Sequence, residues 1–80
     1  MKITVTIRFT DGGQKAVSGI RVDLHSSAGF RGEQYTDNSG TVMFEDVPPW
    51  TTYDLWVEHR HAGTIQTSGR DEHFQRRFSN

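Results

Sequence analysis

The sequence predicts an all-β fold, a single seven-stranded antiparallel β-sandwich spanning residues 1–80. Three observations lead to this prediction. Apolar and polar residues alternate with period two in several short segments, which is typical of strands with one buried face. Clusters of Gly, Asp, Asn, Ser and Pro separate these segments, as in all-β sandwiches. Only 32% of the residues are hydrophobic, but five Phe, two Trp and two Tyr are more than a disordered chain carries.

The first two strands have the clearest alternation. Residues 3–9 place four apolar side chains on one face and Thr or Arg on the other. Gly12 and Gly13 end this strand, because glycine supplies the positive φ of a tight turn. Residues 20–25 alternate in the same way. The following segment, Ser26–Gly32, is too small and glycine-rich for a regular element and is expected to form a loop.

Turn signals divide the middle of the chain. A short strand is expected at Gln34–Thr36, followed by a turn at Asp37-Asn38-Ser39-Gly40. The next strand contains Val42 and Phe44, and it ends at Pro48-Pro49 because proline cannot donate to a sheet ladder. The strand after it points three apolar residues inward, Tyr53, Leu55 and Val57.

The pattern is weaker after residue 58. We expect His59–Ala62 to complete the fifth strand, Gly63 to turn and Thr64–Thr67 to begin the sixth. Phe74 and Phe78 lie four residues apart, which suits one face of a helix or of a strand. A strand is favoured there because every other predicted element is a strand.

The inward positions of these strands define the predicted core: Ile3, Val5, Ile7, Phe9, Ile20, Val22, Leu24, Val42, Phe44, Val47, Tyr53, Leu55 and Val57. The free energy gained by burying this core is small relative to the entropy cost of ordering the backbone on folding. We therefore expect a marginally stable domain that association with a partner would stabilise, since binding to the native state raises stability by mass action.

Three segments resemble transthyretin-like, carboxypeptidase-regulatory-type domains and the related B-type repeats of collagen adhesins. AVSGIRVDL at 16–24 is similar to their v-x-G-x-x-V-x-L strand, and TDNSGTVMF at 36–44 to their T-D-x-x-G-x-f-x-F hairpin. VP at 47–48 with YDLWV at 53–57 resembles their v-p-x-x-Y-x-L-x-V strand. The resemblance covers residues 3–58. It implies an immunoglobulin-like, transthyretin-like sandwich and says almost nothing about function.

Composition excludes several classes of function. The absence of Cys excludes a disulfide scaffold, a cysteine-ligated zinc site and a thiol nucleophile. A net charge of −1 provides no strong field for nucleic acid or an anionic membrane. The opening residues MKITVTIRF lack the continuous apolar core of a signal peptide. We expect a soluble domain made in the cytoplasm, with no cofactor.

Two tryptophans occupy positions that the core does not require. Trp56 has the outward parity of its strand, so it is either covered by Phe74 or Phe78 or presented to a partner. Trp50 follows Pro48-Pro49 at an end of the sandwich, where it either plugs that end or stands out as an anchor. Both alternatives remain open at the level of sequence.

Phe30 and Arg31 lie in the glycine-bracketed loop. An apolar ring beside a planar donor group is a combination enriched in interface hot spots, and loops on rigid scaffolds often carry recognition residues. The sequence therefore favours presentation of Phe30 to a partner. The alternative is that the ring folds back over the end of the sandwich and caps Trp50.

Charge is distributed unevenly along the chain. Residues 1–58 carry five basic and eight acidic side chains, a net charge of −3, whereas residues 59–80 carry four Arg and two acids, a net charge of +2. Arg76 and Arg77 are predicted to bind carboxylates or phosphate on a partner. A positive end of one copy meeting a negative flank of another is one such arrangement.

His59 and His61 are the weak candidates for a metal site. Separated by one residue on a predicted strand, they would project from the same face, as two ligands of zinc or copper can. A third ligand would have to come from His25 or His73, so we predict no metal. The same histidines with Arg60 would serve an enzyme resembling the hydroxyisourate hydrolases, although the Tyr-Arg-Gly-Ser tail of those proteins is absent.

The sequence thus predicts a non-enzymatic module that binds protein surfaces, an accessory subunit docked in several copies on a larger assembly. A virion decoration or fibre component is one version, by analogy with immunoglobulin-like domains on phage particles. The predicted partner-binding residues are Phe30, Arg31, Trp50, Trp56, Arg76 and Arg77. Besides the hydrolase, the alternative is carbohydrate binding, because sugar faces stack on aromatic rings such as Trp50, Tyr53 and Trp56.

Overall fold

A computed structural model describes residues 1–13 and 15–78, and within these ranges it contains seven strands. The strands are β1 (Ile3–Thr10), β2 (Arg21–Ser26), β3 (Arg31–Tyr35), β4 (Thr41–Val47), β5 (Thr52–Val57), β6 (Arg60–Gln66) and β7 (Glu72–Arg77). The all-β prediction is confirmed, including a strand rather than a helix near the C-terminus. No helix that could cross a membrane occurs in the part of the chain that is described.

The strands form two sheets in a sandwich-like arrangement. One sheet has the order β4-β1-β7 and the other the order β3-β2-β5-β6. Neighbouring strands are antiparallel except β1 and β7, which are parallel. The predicted purely antiparallel topology is therefore wrong at this pair. β1 and β7 are the first and last strands of the chain, and the long connection that parallel pairing requires is available between them.

Every apolar position that period two placed inward is buried. The two sheets enclose these side chains in a single cluster. Ile65 on β6 also belongs to this cluster, although the sequence prediction missed it. Phe30, Phe74 and Phe78 pack against the cluster and are partly buried.

The β5–β6 hairpin differs from the prediction. β5 ends at Val57 and β6 begins at Arg60, so the turn consists of Glu58 and His59, with φ of 50° and 67°. A two-residue hairpin turn of type I′ has positive φ at both turn residues, a conformation usually supplied by Asn, Asp or Gly. The Glu58 carboxylate instead helps to hold this turn by accepting a hydrogen bond from the Arg21 amide at 3.2 Å. Gly63, predicted as the turn, lies within β6.

The β2–β3 connection is shorter than predicted. β3 begins at Arg31 rather than at Gln34, and it pairs antiparallel with β2. The turn between β3 and β4 is where the sequence placed it. Asp37 accepts hydrogen bonds from the amides of Ser39 and Thr41 at 2.9 and 3.0 Å, and Gly40 has a φ of 77°.

The two long sides of the sandwich differ. On one side the backbones of β3 and β4 approach each other, joined by the short turn at Asp37. On the other side lie β6 and β7, the edge strands of their sheets. The loop of residues 67–71 joins β6 to β7, and at the opposite end of these strands a cavity of about 300 Å³ opens between the sheets.

Candidate functional site

The predicted partner-binding residues lie in four separate places. Trp50 is at one end of the sandwich, Phe30 and Arg31 are at the β2–β3 connection, Trp56 is on β5, and Arg76 with Arg77 is on β7. The molecule therefore offers several small surfaces, whose chemistry differs.

Trp50 is the most exposed of the predicted aromatic residues. Its relative exposure is 75%, and its backbone has a φ of 55°, a strained conformation for a bulky residue. The indole lies against Gly69, where an added Cβ would be 2.9 Å from Cζ2 of the ring. The ring is thus supported on one side and open to solvent on the rest, so it stands out rather than plugging the sandwich.

Hydrogen bonds fix the backbone on both sides of Trp50. The Thr51 hydroxyl donates to the Pro49 carbonyl at 2.8 Å, and the Thr51 amide donates to the Thr67 hydroxyl at 3.1 Å. The Tyr53 hydroxyl donates to the Pro48 carbonyl, and burial raises the pKa of that hydroxyl. These bonds order the loop that carries the indole.

Phe30 folds back onto the core. Its ring meets the Tyr53 ring edge to face, with centroids 5.6 Å apart and planes at 82°. The expectation that the loop presents this ring is corrected, because a buried aromatic partner lies within reach. Its alternative, a cap on Trp50, is replaced by a cap on Tyr53. Arg31 is exposed at the start of β3, directly across from His25.

Trp56 is partly buried on the outer face of the four-stranded sheet. It lies between two histidine rings, with centroids 6.4 Å from His25 and 5.2 Å from His61. Cover by Phe74 or Phe78 is ruled out, since both pack on the core from the side of the other sheet.

The candidate histidines do not share a face. His59 lies in the β5–β6 turn, and His61 lies beside Trp56 with its Nε2 3.1 Å from Asp54 Oδ1. Arg60 faces the cavity between the sheets. The three residues assigned to the hydrolase alternative therefore do not converge. In residues 1–13 and 15–78, no group of three or more His, Asp or Glu side chains is placed to hold a metal ion.

The three aromatic rings assigned to carbohydrate binding also do not form a shared stacking surface. Tyr53 has a relative exposure of 0%, so its ring cannot stack on a sugar. Trp50 and Trp56 lie at the end and on the outer face of the four-stranded sheet, respectively. The three rings present no common surface.

The cavity between β6 and β7 is a surface that sequence reasoning missed. Its apolar wall is formed by Phe9, Leu55, Val57, Ala62 and Phe78, and its polar rim by Glu58, Arg60, Arg76 and Arg77. We call this the β6–β7 groove. The sequence did indicate Arg76 and Arg77 as anion-binding residues, but Arg60 could be placed with them only once the true β5–β6 turn was known.

Two of the groove arginines have defined surroundings. The Arg76 guanidinium lies over the Phe74 ring, 5.4 Å from its centroid, and donates to the Gln75 carbonyl at 2.8 Å. The Arg77 guanidinium extends over Gly12. It also adds to the effect of the Lys15 and Gly13 amides, which hold the pKa of Asp11 below its ordinary value.

Comparisons with known proteins add no family assignment. No protein-family model matches the chain, and no curated protein matches it at a significant level. Function is therefore inferred from the chemistry of the surfaces described above.

Proposed function

We propose that the protein is a non-enzymatic protein-binding module with a transthyretin-like, immunoglobulin-like fold, which docks onto a larger assembly through Trp50. The exposure of Trp50, 75% in a strained backbone conformation, is the observation that carries the proposal. An isolated domain gains little from holding an indole in solvent at a backbone cost of about 1–3 kcal/mol. The free energy gained when a partner buries the ring offsets that cost.

The loop around Trp50 is ordered before any partner arrives. Thr51 and Thr67 form reciprocal bonds, since the Thr67 amide also donates to the Thr51 carbonyl at 3.0 Å. An anchor held in place loses little conformational entropy on binding. Tryptophan is also among the residues most enriched at interface hot spots.

The side chains beside the indole suit the rim of a protein interface. A shallow depression at its base is lined by Thr51, Thr52, Gln66 and Thr67, all uncharged and polar. Gln66 Nε2 donates to the Thr52 hydroxyl at 3.4 Å. An aromatic anchor surrounded by polar groups that exchange water for a partner is the usual anatomy of such interfaces.

The proposed role is that of an accessory subunit present in several copies, for example on a virion surface or fibre. The domain is small, with a radius of gyration of 11.9 Å, and it carries its exposed tryptophan at one end. The separation of His59, Arg60 and His61 onto different parts of the β5–β6 hairpin favours binding over hydrolysis, because a catalytic set must converge on one substrate.

The test uses Trp50 as both anchor and reporter. In Trp56→Phe, Trp50 is the remaining tryptophan and its fluorescence reports on this site alone. A photo-crosslinking amino acid placed at position 52, beside the intact indole, identifies the partner in the producing cells. The purified partner should then shift Trp50 emission to the blue, and Trp50→Ala should weaken binding by about 30-fold or more, as anchor residues do.

Met43→Ala is the matched control. Met43 is an apolar side chain with 50% exposure on the three-stranded sheet, away from Trp50. The Met43→Ala variant should bind the same partner with unchanged affinity. Equal binding by Trp50→Ala and the native protein would contradict the proposal.

A further inference from the structure

The free edge of β7 lies beside the β6–β7 groove. β7 is the last strand of its sheet and pairs on one side only, with β1. The Phe78 amide donates to the Thr10 carbonyl at 2.9 Å, on the β1 side. Because hydrogen-bonding directions alternate along a strand, the peptide groups of His73, Gln75 and Arg77 face the open side.

The Gln75 carbonyl marks this open edge. It accepts a hydrogen bond from the Arg76 guanidinium at 2.8 Å, so a side chain of the same strand occupies a position that a neighbouring strand would fill. An incoming strand that donates to this carbonyl would release the guanidinium. Arg76 would then be available to a carboxylate on the incoming chain.

The groove itself has an excess of positive charge. Arg60, Arg76 and Arg77 line it, opposed by Glu58. In the described residues the ion pairs within 4.0 Å belong to Arg21 and His61, and the groove arginines form none. The Glu58 carboxylate accepts from the Arg21 amide. The groove therefore combines an apolar wall with guanidinium groups that form no ion pair within 4.0 Å among these residues, although Asp11 acts on Arg77 from a greater distance.

We propose that the β7 edge and the β6–β7 groove bind an extended acidic segment of a partner chain, which adds to the sheet as a strand beside β7. Main-chain bonds to the edge would supply affinity, as in other cases of strand addition. Apolar side chains of the segment would enter the groove over Val57 and Phe78, and its carboxylates would pair with the arginines. This site is separate from Trp50 and does not depend on the function proposed for it.

Charge favours an acidic partner over a second copy of the chain. β7 carries two arginines and one glutamate, so two paired β7 edges would have an excess of positive charge, whereas an acidic segment would neutralise it. Inward-facing charge on an edge strand generally prevents such self-association. The same charge attracts a strand that carries carboxylates.

The probes are two capped eight-residue peptides, one alternating valine with glutamate and one alternating valine with lysine. Each is titrated into the ¹⁵N-labelled chain at low salt and followed by NMR. The acidic peptide should shift the amides of His73, Gln75 and Arg77, and its affinity should fall as salt screens the charges. The basic peptide should bind at least about tenfold more weakly.

Two variants separate the backbone contribution from the charge. Gln75→Pro removes an outward amide while sparing the ladder to β1, and should abolish the shifts, whereas Gln75→Ala should leave them. Arg76→Gln should weaken the acidic peptide about fivefold and flatten its salt dependence. Circular dichroism checks that Gln75→Pro folds, and Arg76→Gln provides the test if it does not.

Three outcomes would overturn the proposal. They are equal binding of the acidic and basic peptides, peptide-induced shifts confined to other strands, and a dimer in sedimentation that Gln75→Pro dissociates. Trp50→Ala should bind the acidic peptide like the native chain. Its result therefore distinguishes failure of this site from failure of docking through Trp50.

Discussion

The two long sides of the sandwich show how one small core can be closed on one side and left open on the other. On the closed side, the Thr36 hydroxyl accepts the Ile20 amide at 3.1 Å, and the Thr36 carbonyl accepts the Gly19 amide at 3.0 Å. Gly32 allows β3 to lie directly against the Phe44 ring. Small residues and backbone bonds thus seal this side.

The open side contains arginines where the closed side contains small residues. β6 and β7 separate at the end remote from the loop that joins them, and the gap is lined by Arg60, Arg76 and Phe78. The closed side is packed against the core, and the open side is the one that we propose binds a partner.

The largest expected effect comes from emptying an aromatic site on each side. Phe44 is 3% exposed, so Phe44→Ala should lower the free energy of unfolding by about 3–5 kcal/mol. Phe78 is only partly buried, and Phe78→Ala should cost about 1 kcal/mol. Urea melts of the two variants measure the difference. Equal losses would mean that the open side contributes as much to the core as the closed side does.

The next effect comes from overpacking the closed side. A Cβ on Gly32 would lie 2.7 Å from Phe44 Cδ1, so Gly32→Ala should destabilise the protein by about 1–3 kcal/mol. Gly13→Ala is the control, because its Cβ would make an ordinary contact at 3.4 Å with Asp11 Oδ1. Thermal melts should show a clear loss for the first variant alone. A neutral Gly32→Ala would show that Phe44 can move aside.

These contrasts also explain which parts of the fold the sequence could predict. Burial of Val5, Leu24 and Leu55 follows from period two, because a strand with one buried face alternates wherever it pairs. The turn at Asp37 was predictable because its residues carry the chemistry of the turn. Local signals of this kind are sufficient for β1, β2 and β4 and for the start of β5, but they placed the start of β3 at Gln34 instead of Arg31.

The remaining features depend on information that is not local. Glu58 and His59 adopt positive φ although neither is Gly or Asn. Because these two residues give no turn signal, the sequence predicted the turn at Gly63 instead. Because side chains alternate, an error in a turn changes the predicted face of the residues that follow it. This concealed both Ile65 in the core and Arg60 in the groove. The parallel pairing of β1 with β7 joins the ends of the chain, where turn residues give no signal.

Two turns, one on each side of the sandwich, should stabilise the protein in a pH-dependent way. The hydroxyl and amide of Ser39 and the Thr41 amide hold the pKa of Asp37, on the closed side, below its ordinary value of 3.8. The amides of Lys15 and Gly13 do the same for Asp11, near Arg77 on the open side. A lowered folded-state pKa stabilises the protein above the unfolded pKa, and this contribution is lost as pH falls through the folded one.

In Asp37→Asn and Asp11→Asn, the uncharged amide group resembles a protonated carboxyl group. Each should lower Tm at pH 7, and the difference from the native protein should disappear as pH falls from about 4 through the folded pKa. Thermal melts across this range test both. A difference that persists in acid would show that the stability lost in the variant does not come from the charge of the carboxylate.

The smallest effect on stability is expected from the groove arginines. Arg76 has its cation–π contact with Phe74 and its bond to a carbonyl at the strand edge, and Arg60 makes no ion pair within the described residues. The double variant Arg60→Gln, Arg76→Gln should therefore stay within about 0.5 kcal/mol of the native free energy of unfolding, as surface substitutions usually do. A urea melt gives the value, with Arg8→Gln on the outer face of β1 as the control. If the double variant instead lost 2 kcal/mol or more, the arginines would hold the sheets together, and the open side would be as structural as the closed one.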